Sequence, residues 1–363
     1  MIIIELLKKI KEEDYPKLRS FIAQPYWRLK EADIDFFDAM VRWTKKMRKT
    51  HEIYSEKYDR VGEIKKRLVV PIEGYLSLES SRKYPFYQDL MLLDYYNNNG
   101  MEACYNSKMK RLKKNLKQYP VDNEQHFFQM KLSEAAASKA KHQREKMPEL
   151  IEMLEALDQF YAENELRIFC EFATQKDIIN TDYPIKEMNS IERSSSLAQL
   201  YQQIYNLHTK AASKKEYIYL STAAIQNNLN LSKEVLHTLH NHLLNYCTKH
   251  LNQGGDYFAE EYIRLIQSLI SHKLLLDKGI LDWGRYGNIV TIYLLLGKKT
   301  SNQAQEFIKK YTKYLATDNY KHTKILNLAR VYLFENDLEK AEEQYALIQN
   351  EYGELSFENK LLF

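Results

Sequence analysis

An all-α fold is what this sequence predicts, and three observations carry it. Glycine and proline are sparse, ten and seven in 363 residues, and no proline follows Pro184. Valine is scarce while Lys, Glu, Leu, Gln and Ala are plentiful, so the β-branched runs bounded by turns that strands require are missing. From Lys83 onward, apolar residues recur at helical spacing in segments separated by short polar breaks.

The first part of the chain, residues 1–80, reads as an irregular helical region. Tyr15-Pro16 and Gln24-Pro25 interrupt it, because a residue preceding proline is pushed out of helical geometry. A helix is predicted from about Ala32 to Lys49 on Phe36, Phe37, Met40, Val41 and Trp43, and another from about Arg60 to Leu78 on Val61, Ile64, Leu68 and Ile72. The words Phe21 to Trp27, FIAQPYW, resemble the opening of a group of uncharacterised bacterial all-helical proteins, with Gln24 where serine is expected. That resemblance implies no activity.

Helical hairpins are predicted to follow through 81–363. Helices at about 84–98 and 101–118 meet at Asn97-Asn98-Asn99-Gly100, residues that accept the left-handed conformation ending a helix. A helix at about 122–146 should stop before Pro148, which suits the first turn of the next. That next helix carries Leu150, Ile151, Leu154, Leu157 and Tyr161 in register and continues through Phe172 unless it breaks near Asn164. Residues 180–193, containing Pro184, form the candidate hinge. Beyond it, helices are expected at about 194–212, 214–228, 232–250, 256–277, 280–297, 303–316, 320–335 and 338–352. Ser232 is the expected N-cap of the third of these, and Asn252-Gln253-Gly254-Gly255 the turn after it.

The last pair, Lys324 to Gln349, places Leu328, Ala329 and Tyr332 on one helix, turns at Glu335-Asn336-Asp337, and sets Ala341, Tyr345 and Ile348 on the next. Tyr286, Ile289, Val290, Tyr293, Gly297, Ala304, Ile308 and Tyr311 run in the same order in the preceding pair. This order resembles a tetratricopeptide repeat, a helix–turn–helix unit of about 34 residues that stacks on its neighbours. The match covers about 282–352, and the upstream hairpins keep the length without the signature alanines. The expected architecture is therefore a TPR-like α-solenoid of antiparallel hairpins. In such units the first helix of each pair lines the groove. The resemblance thus assigns Thr323, Asn327 and Arg330 in the last unit, with Thr291 in the one before, to a protein or peptide partner.

Composition narrows the remaining classes. A net charge of +4 from 53 basic and 49 acidic residues gives no global attraction to nucleic acid or anionic lipid. Three well-separated cysteines, Cys104, Cys170 and Cys247, imply no disulfide framework and fit a reducing compartment. Glu5 follows the opening isoleucines too closely for a secretory signal, and the apolar run 289–296 is too short to span a bilayer, so a cytoplasmic protein is expected. His237, His240, His242, Cys247 and His250 are the densest potential metal ligands. The pairs 237/240 and 247/250, however, lie about 15 Å apart along a helix, so no metal site is assigned.

Basic residues concentrate at Lys108, Lys110, Arg111, Lys113, Lys114 and Lys117 with no acid among them, and this patch supports an alternative function in nucleic-acid association. Two further groups, Arg42 to Lys49 and Lys139 to Lys146, are basic as well. GxGxxG, GxxxxGK[ST], GxSxG and HExxH are all absent, so neither catalytic residues nor a cofactor is assigned and a non-enzymatic scaffold is expected.

Overall fold

The structure is a computed structural model that describes residues 2–46, 61–140, 143–179, 195–209, 214–255, 257–316 and 320–352. Every regular element among them is helical, and only isolated bridging pairs of extended residues occur besides. The chain divides into two compact units, Met1–Leu112 and Lys113–Phe363. The division falls later than residue 80, so the helices of 85–112 group with the N-terminal unit and not with the array expected to open at 81.

The N-terminal unit comprises α1 (Ile2–Lys9), α2 (Tyr15–Ile22), α3 (Glu31–Lys46), α4 (Val61–Ser81), α5 (Pro85–Asn98) and the first part of α6 (Glu102–Leu116). Its core joins Leu7, Leu18 and Ile22 to Phe36, Phe37 and Leu68, the last three being positions that the sequence periodicity marks. Asp33, fully buried at the start of α3, accepts from the Lys30 amide at 2.9 Å and from Arg67 of α4 at 2.6 Å. Burial pushes its carboxyl up, but the Arg67 and Lys30 hydrogen bonds outweigh that and hold it below the ordinary range. The Pro25–Trp27 segment is a 3-10 turn closed by Arg28 at φ 50°. It lays the Trp27 indole on Gly74 of α4, where an added Cβ would meet the ring at 2.9 Å. Only glycine permits that approach.

The larger unit continues with α7 (Gln125–Lys139), α8 (Gln143–Ile179), α9 (Ser196–Thr209), α10 (Lys214–Gln226), α11 (Lys233–Asn252) and α12 (Tyr257–Ser271). It closes with α13 (Trp283–Leu295), α14 (Lys298–Tyr311), α15 (Tyr320–Phe334) and α16 (Leu338–Tyr352). Consecutive helices pack on one another from α7 to α16, and alternate helices also touch, α9 with α11 and α13 with α15. One apolar core threads them, from Leu166 of α8 through Leu239 and Leu265 to Val331 of α15. Ser232 caps α11 by accepting from the Val235 amide, as its position implies, and Gly254 adopts φ 87° in the turn that follows.

Several boundaries differ from the sequence reading, among them that of α14, which spans Lys298–Tyr311 where 303–316 is expected. The helix expected over 122–146 stops at Lys139, and the next has already begun at Gln143, so Pro148 lies inside α8 instead of opening it. There is no break at Asn164, whose amide bonds back to the Phe160 carbonyl. The helix expected to reach 277 ends at Ser271. Lys273 takes φ 59°, the Leu274 amide returns to the Leu269 carbonyl at 2.7 Å, and the chain then crosses to pair Leu281 with Leu315. The apolar run Leu274-Leu275-Leu276 is thus a packed connector. The candidate hinge 180–193 lies outside the described residues.

Candidate functional site

The hairpins α13/α14 and α15/α16 hold the residues that the repeat order singles out. Asp282 caps α13 by accepting from the Arg285 amide at 2.8 Å, which sets the start and hence the rotation of that helix. Tyr286, Ile289, Val290 and Tyr293 are consequently buried, while Trp283, Thr291 and Leu295 remain on the outer stripe. On α15 the mirror choice buries Ala329 and Val331. Ala304 and Ala341 are also buried, the small residues that let paired helices close.

Gly287, one turn before Thr291, faces α15. A Cβ there would lie 3.9 Å from Asn327 Oδ1 and 4.0 Å from the nearest Arg330 guanidinium nitrogen. The structure therefore brings Asn327 and Arg330 together over the α13 backbone. Arg330 is half-buried, and among the described residues no carboxylate lies within ion-pair distance of it. Asn327 departs from the expected open position. It is 2 % exposed, its amide donates to the Thr323 carbonyl at 2.8 Å, and its Oδ1 has no hydrogen-bond partner. It belongs to the α13–α15 seam because the glycine opposite leaves room for it. Thr323 is half-buried, and Thr291 is exposed.

A second feature was not visible in the repeat pattern. Between α14, the following 3-10 turn Thr312–Tyr314 and α15 lies a cleft of about 550 Å³. Its walls carry Lys309, Lys313 and Lys324 around Leu328, with Glu306 as the one acid. None of the three lysines makes an ion pair among the described residues. The i, i+4 spacing of Lys309 and Lys313 was the only sequence signal; the third lysine arrives from another helix.

The alternative basic patch is partly neutralised. In the N-terminal unit Asp89 of α5 takes Lys108 at 2.5 Å and approaches Arg111 at 3.6 Å. In the larger unit Glu149 of α8 takes Lys113 at 3.1 Å. Lys110, Lys114 and Lys117 are exposed without an acid partner among the described residues. Lys117 stands at the edge of a cavity of about 210 Å³, against whose wall the Ser133 hydroxyl is buried without a hydrogen bond.

The histidines of α11 are dispersed into packing. His240 bonds through Nδ1 to the Leu236 carbonyl at 2.8 Å and through Nε2 to Ser268 at 2.9 Å. His242 Nδ1 lies 2.9 Å from Thr174, and His250 stacks on Phe258. Among the described residues no three His, Cys, Asp or Glu side chains are grouped as metal ligands. One further polar cluster centres on buried Glu163, which accepts from the Ser195 hydroxyl at 2.7 Å and lies 2.9 Å from His126 Nδ1. The His126 contact is electrostatic without hydrogen-bond alignment. Ser195 also receives the Ala198 amide at 3.0 Å, so it caps α9, and its own hydroxyl proton is committed to Glu163.

No family model, curated protein or solved structure matches this chain. Among the described residues no helix is long and apolar enough to cross a membrane.

Proposed function

We propose that the chain is a non-enzymatic scaffold whose final hairpins, TPR-like in residue order, bind a segment of another protein along the paired faces of α13 and α15. One observation carries this reading. The Arg330 guanidinium stands over Gly287 with no carboxylate partner among the described residues, beside a stripe on which Trp283 is 61 % and Leu295 66 % exposed. A cation beside bare apolar side chains is the combination that holds a carboxylate by charge-assisted hydrogen bonds and an apolar neighbour by burial. The three lysines of the adjoining cleft favour a segment rich in Asp and Glu.

The nucleic-acid alternative ranks below it, because Asp89 and Glu149 occupy three of the six cations on which it relies. Selection of a displayed peptide library on the full chain tests the proposal. Acidic-apolar peptides should emerge, and Arg330→Ala and Trp283→Ala should each weaken them about tenfold or more. Absence of any selected sequence, or selected peptides indifferent to both substitutions, would refute it.

A further inference from the structure

The longest helix among the described residues leaves a row of large apolar side chains largely exposed. On α8, Met147, Ile151 and Leu154 precede Tyr161, Ile168 and Phe172, and with Leu157 beside them they are between 43 % and 59 % exposed. The steps from 147 to 151, 154, 158, 161, 165, 168 and 172 alternate four and three, which is a heptad seam about 37 Å long. Only Asp158 and Glu165 interrupt it. The opposite side of α8 is buried on Ala156, Ala162, Leu166, Cys170 and Ala173, against α7 and α9. The outer row is thus a second apolar face.

Its size is that of an interface. At about half exposure, each of the seven side chains leaves on the order of 100 Å² in water, roughly 700 Å² in all, close to the ~800 Å² per partner of a standard complex. Monomeric proteins rarely leave such a contiguous stripe uncovered.

We infer that this face pairs with the α8 of a second copy of the chain, antiparallel, about a two-fold axis near Gln159–Phe160. The polar positions select that arrangement. A parallel pair would set Asp158 against Asp158 and Glu165 against Glu165 of the second copy, two like-charge layers inside an apolar seam. The antiparallel register sets Met147 against Phe172, Ile151 against Ile168, Leu154 against Glu165, and Asp158 against Tyr161. Asp158 of each copy thereby faces the Tyr161 ring of the other instead of a second Asp158 in its own layer. Flanking acids meet no acid either: Glu155 lies opposite Ala162, and Glu171 opposite Leu150. Each contact occurs twice, as an isologous interface requires. The inference concerns α8 alone and is independent of the peptide-binding reading for α13–α16.

Sedimentation equilibrium on the full chain tests it. Wild type should be a dimer at tens of micromolar. Leu154→Glu, which sets a second acid against Glu165, should weaken the dimer about 100-fold or more, and Leu154→Lys, which sets a cation there, markedly less. Both sites are exposed, so unchanged far-UV circular dichroism and Tm will show that the variants fold, and Ile168→Asp repeats the test from the other half of the seam. A nitroxide at Gln175→Cys, with the exposed Cys104 changed to serine, reads the direction: about 46 Å between labels for the antiparallel pair, about 10 Å for a parallel one. A monomeric wild type overturns the inference, and capture of a basic amphipathic helix by that monomer would assign the face to a foreign partner. A dimer indifferent to Leu154→Glu, or a short label distance, overturns it as well.

Discussion

Acidification should destabilise the larger unit before its carboxylates protonate, and the reason is the pair of buried histidines on α11. A backbone carbonyl only accepts, so His240 must carry its proton on Nδ1 to bond Leu236, and its Nε2 then accepts from the Ser268 hydroxyl. Thr174 donates its own hydroxyl proton to the Cys170 carbonyl, so His242 must donate through Nδ1 to Thr174, leaving its Nε2 bare. Both rings are neutral in the fold. Burial pushes His240 down to about 4, and burial with His208 nearby pushes His242 down to about 3, from an ordinary 6.5. Glu171 stands 4.0 Å from His242 Nε2, but it is half exposed, so water screens the attraction that would oppose this.

Above pH 6.5 neither folded nor unfolded chain holds the extra protons, and these groups add no pH dependence. As pH falls below 6.5, the unfolded chain binds two protons that the native state refuses, so stability is lost. At about 1.4 kcal/mol per pH unit per group, the drop from pH 6.5 to 5 is about 2 kcal/mol for each histidine and about 4 for both. Asp33, whose carboxyl lies below its ordinary value, loses its contribution only in stronger acid, outside this window. Urea unfolding followed by far-UV circular dichroism at pH 7, 6 and 5 measures the slope, and the His240→Gln, His242→Gln double variant should flatten it. A wild-type stability constant within 1 kcal/mol across that range would refute the reasoning.

Other expected outcomes concern packing and a buried charge. Ala341→Leu should overpack the α15–α16 seam, where Ala341 and Ala329 are both buried, and cost about 1–3 kcal/mol. Hydrogen exchange should show the loss concentrated in 320–352, and uniform loss along the chain would argue for one cooperative core. Lys340→Ala, which removes an exposed pair with Asp337 and a contact with the Tyr332 ring, should leave the protection pattern unchanged in the same experiment. In the N-terminal unit Asp33→Ala should cost about 1–3 kcal/mol by thermal melting, because it orphans the Lys30 amide and the Arg67 donors. A neutral result would mean that solvent already satisfies both.

Much of the fold was legible because helix formation is local. The turn at Asn252–Gly255, the Ser232 cap and the alanines Ala304, Ala329 and Ala341 are each specified by residues within a turn or two. The site was less so. The repeat resemblance sets Asn327 on the open face, yet the space above Gly287 draws it into a seam and its own helix satisfies its amide. Lys324 joined Lys309 and Lys313 only because α14 and α15 pack side by side.

By itself, then, the sequence determined that this chain is helical, roughly where its helices begin and end, and which small residues sit where the last hairpins close. The tertiary structure alone decided which face of α8 is covered. Ile151, Leu154 and Leu157 carry the helical spacing read on α8 from the sequence, but they are largely exposed. The buried side uses Ala156, Ala162, Cys170 and Ala173, whose short side chains let neighbouring helices approach closely while contributing little to a hydrophobic pattern. Periodicity measures where apolar side chains lie around a helix axis; what packs against them is set by chain segments far away in sequence.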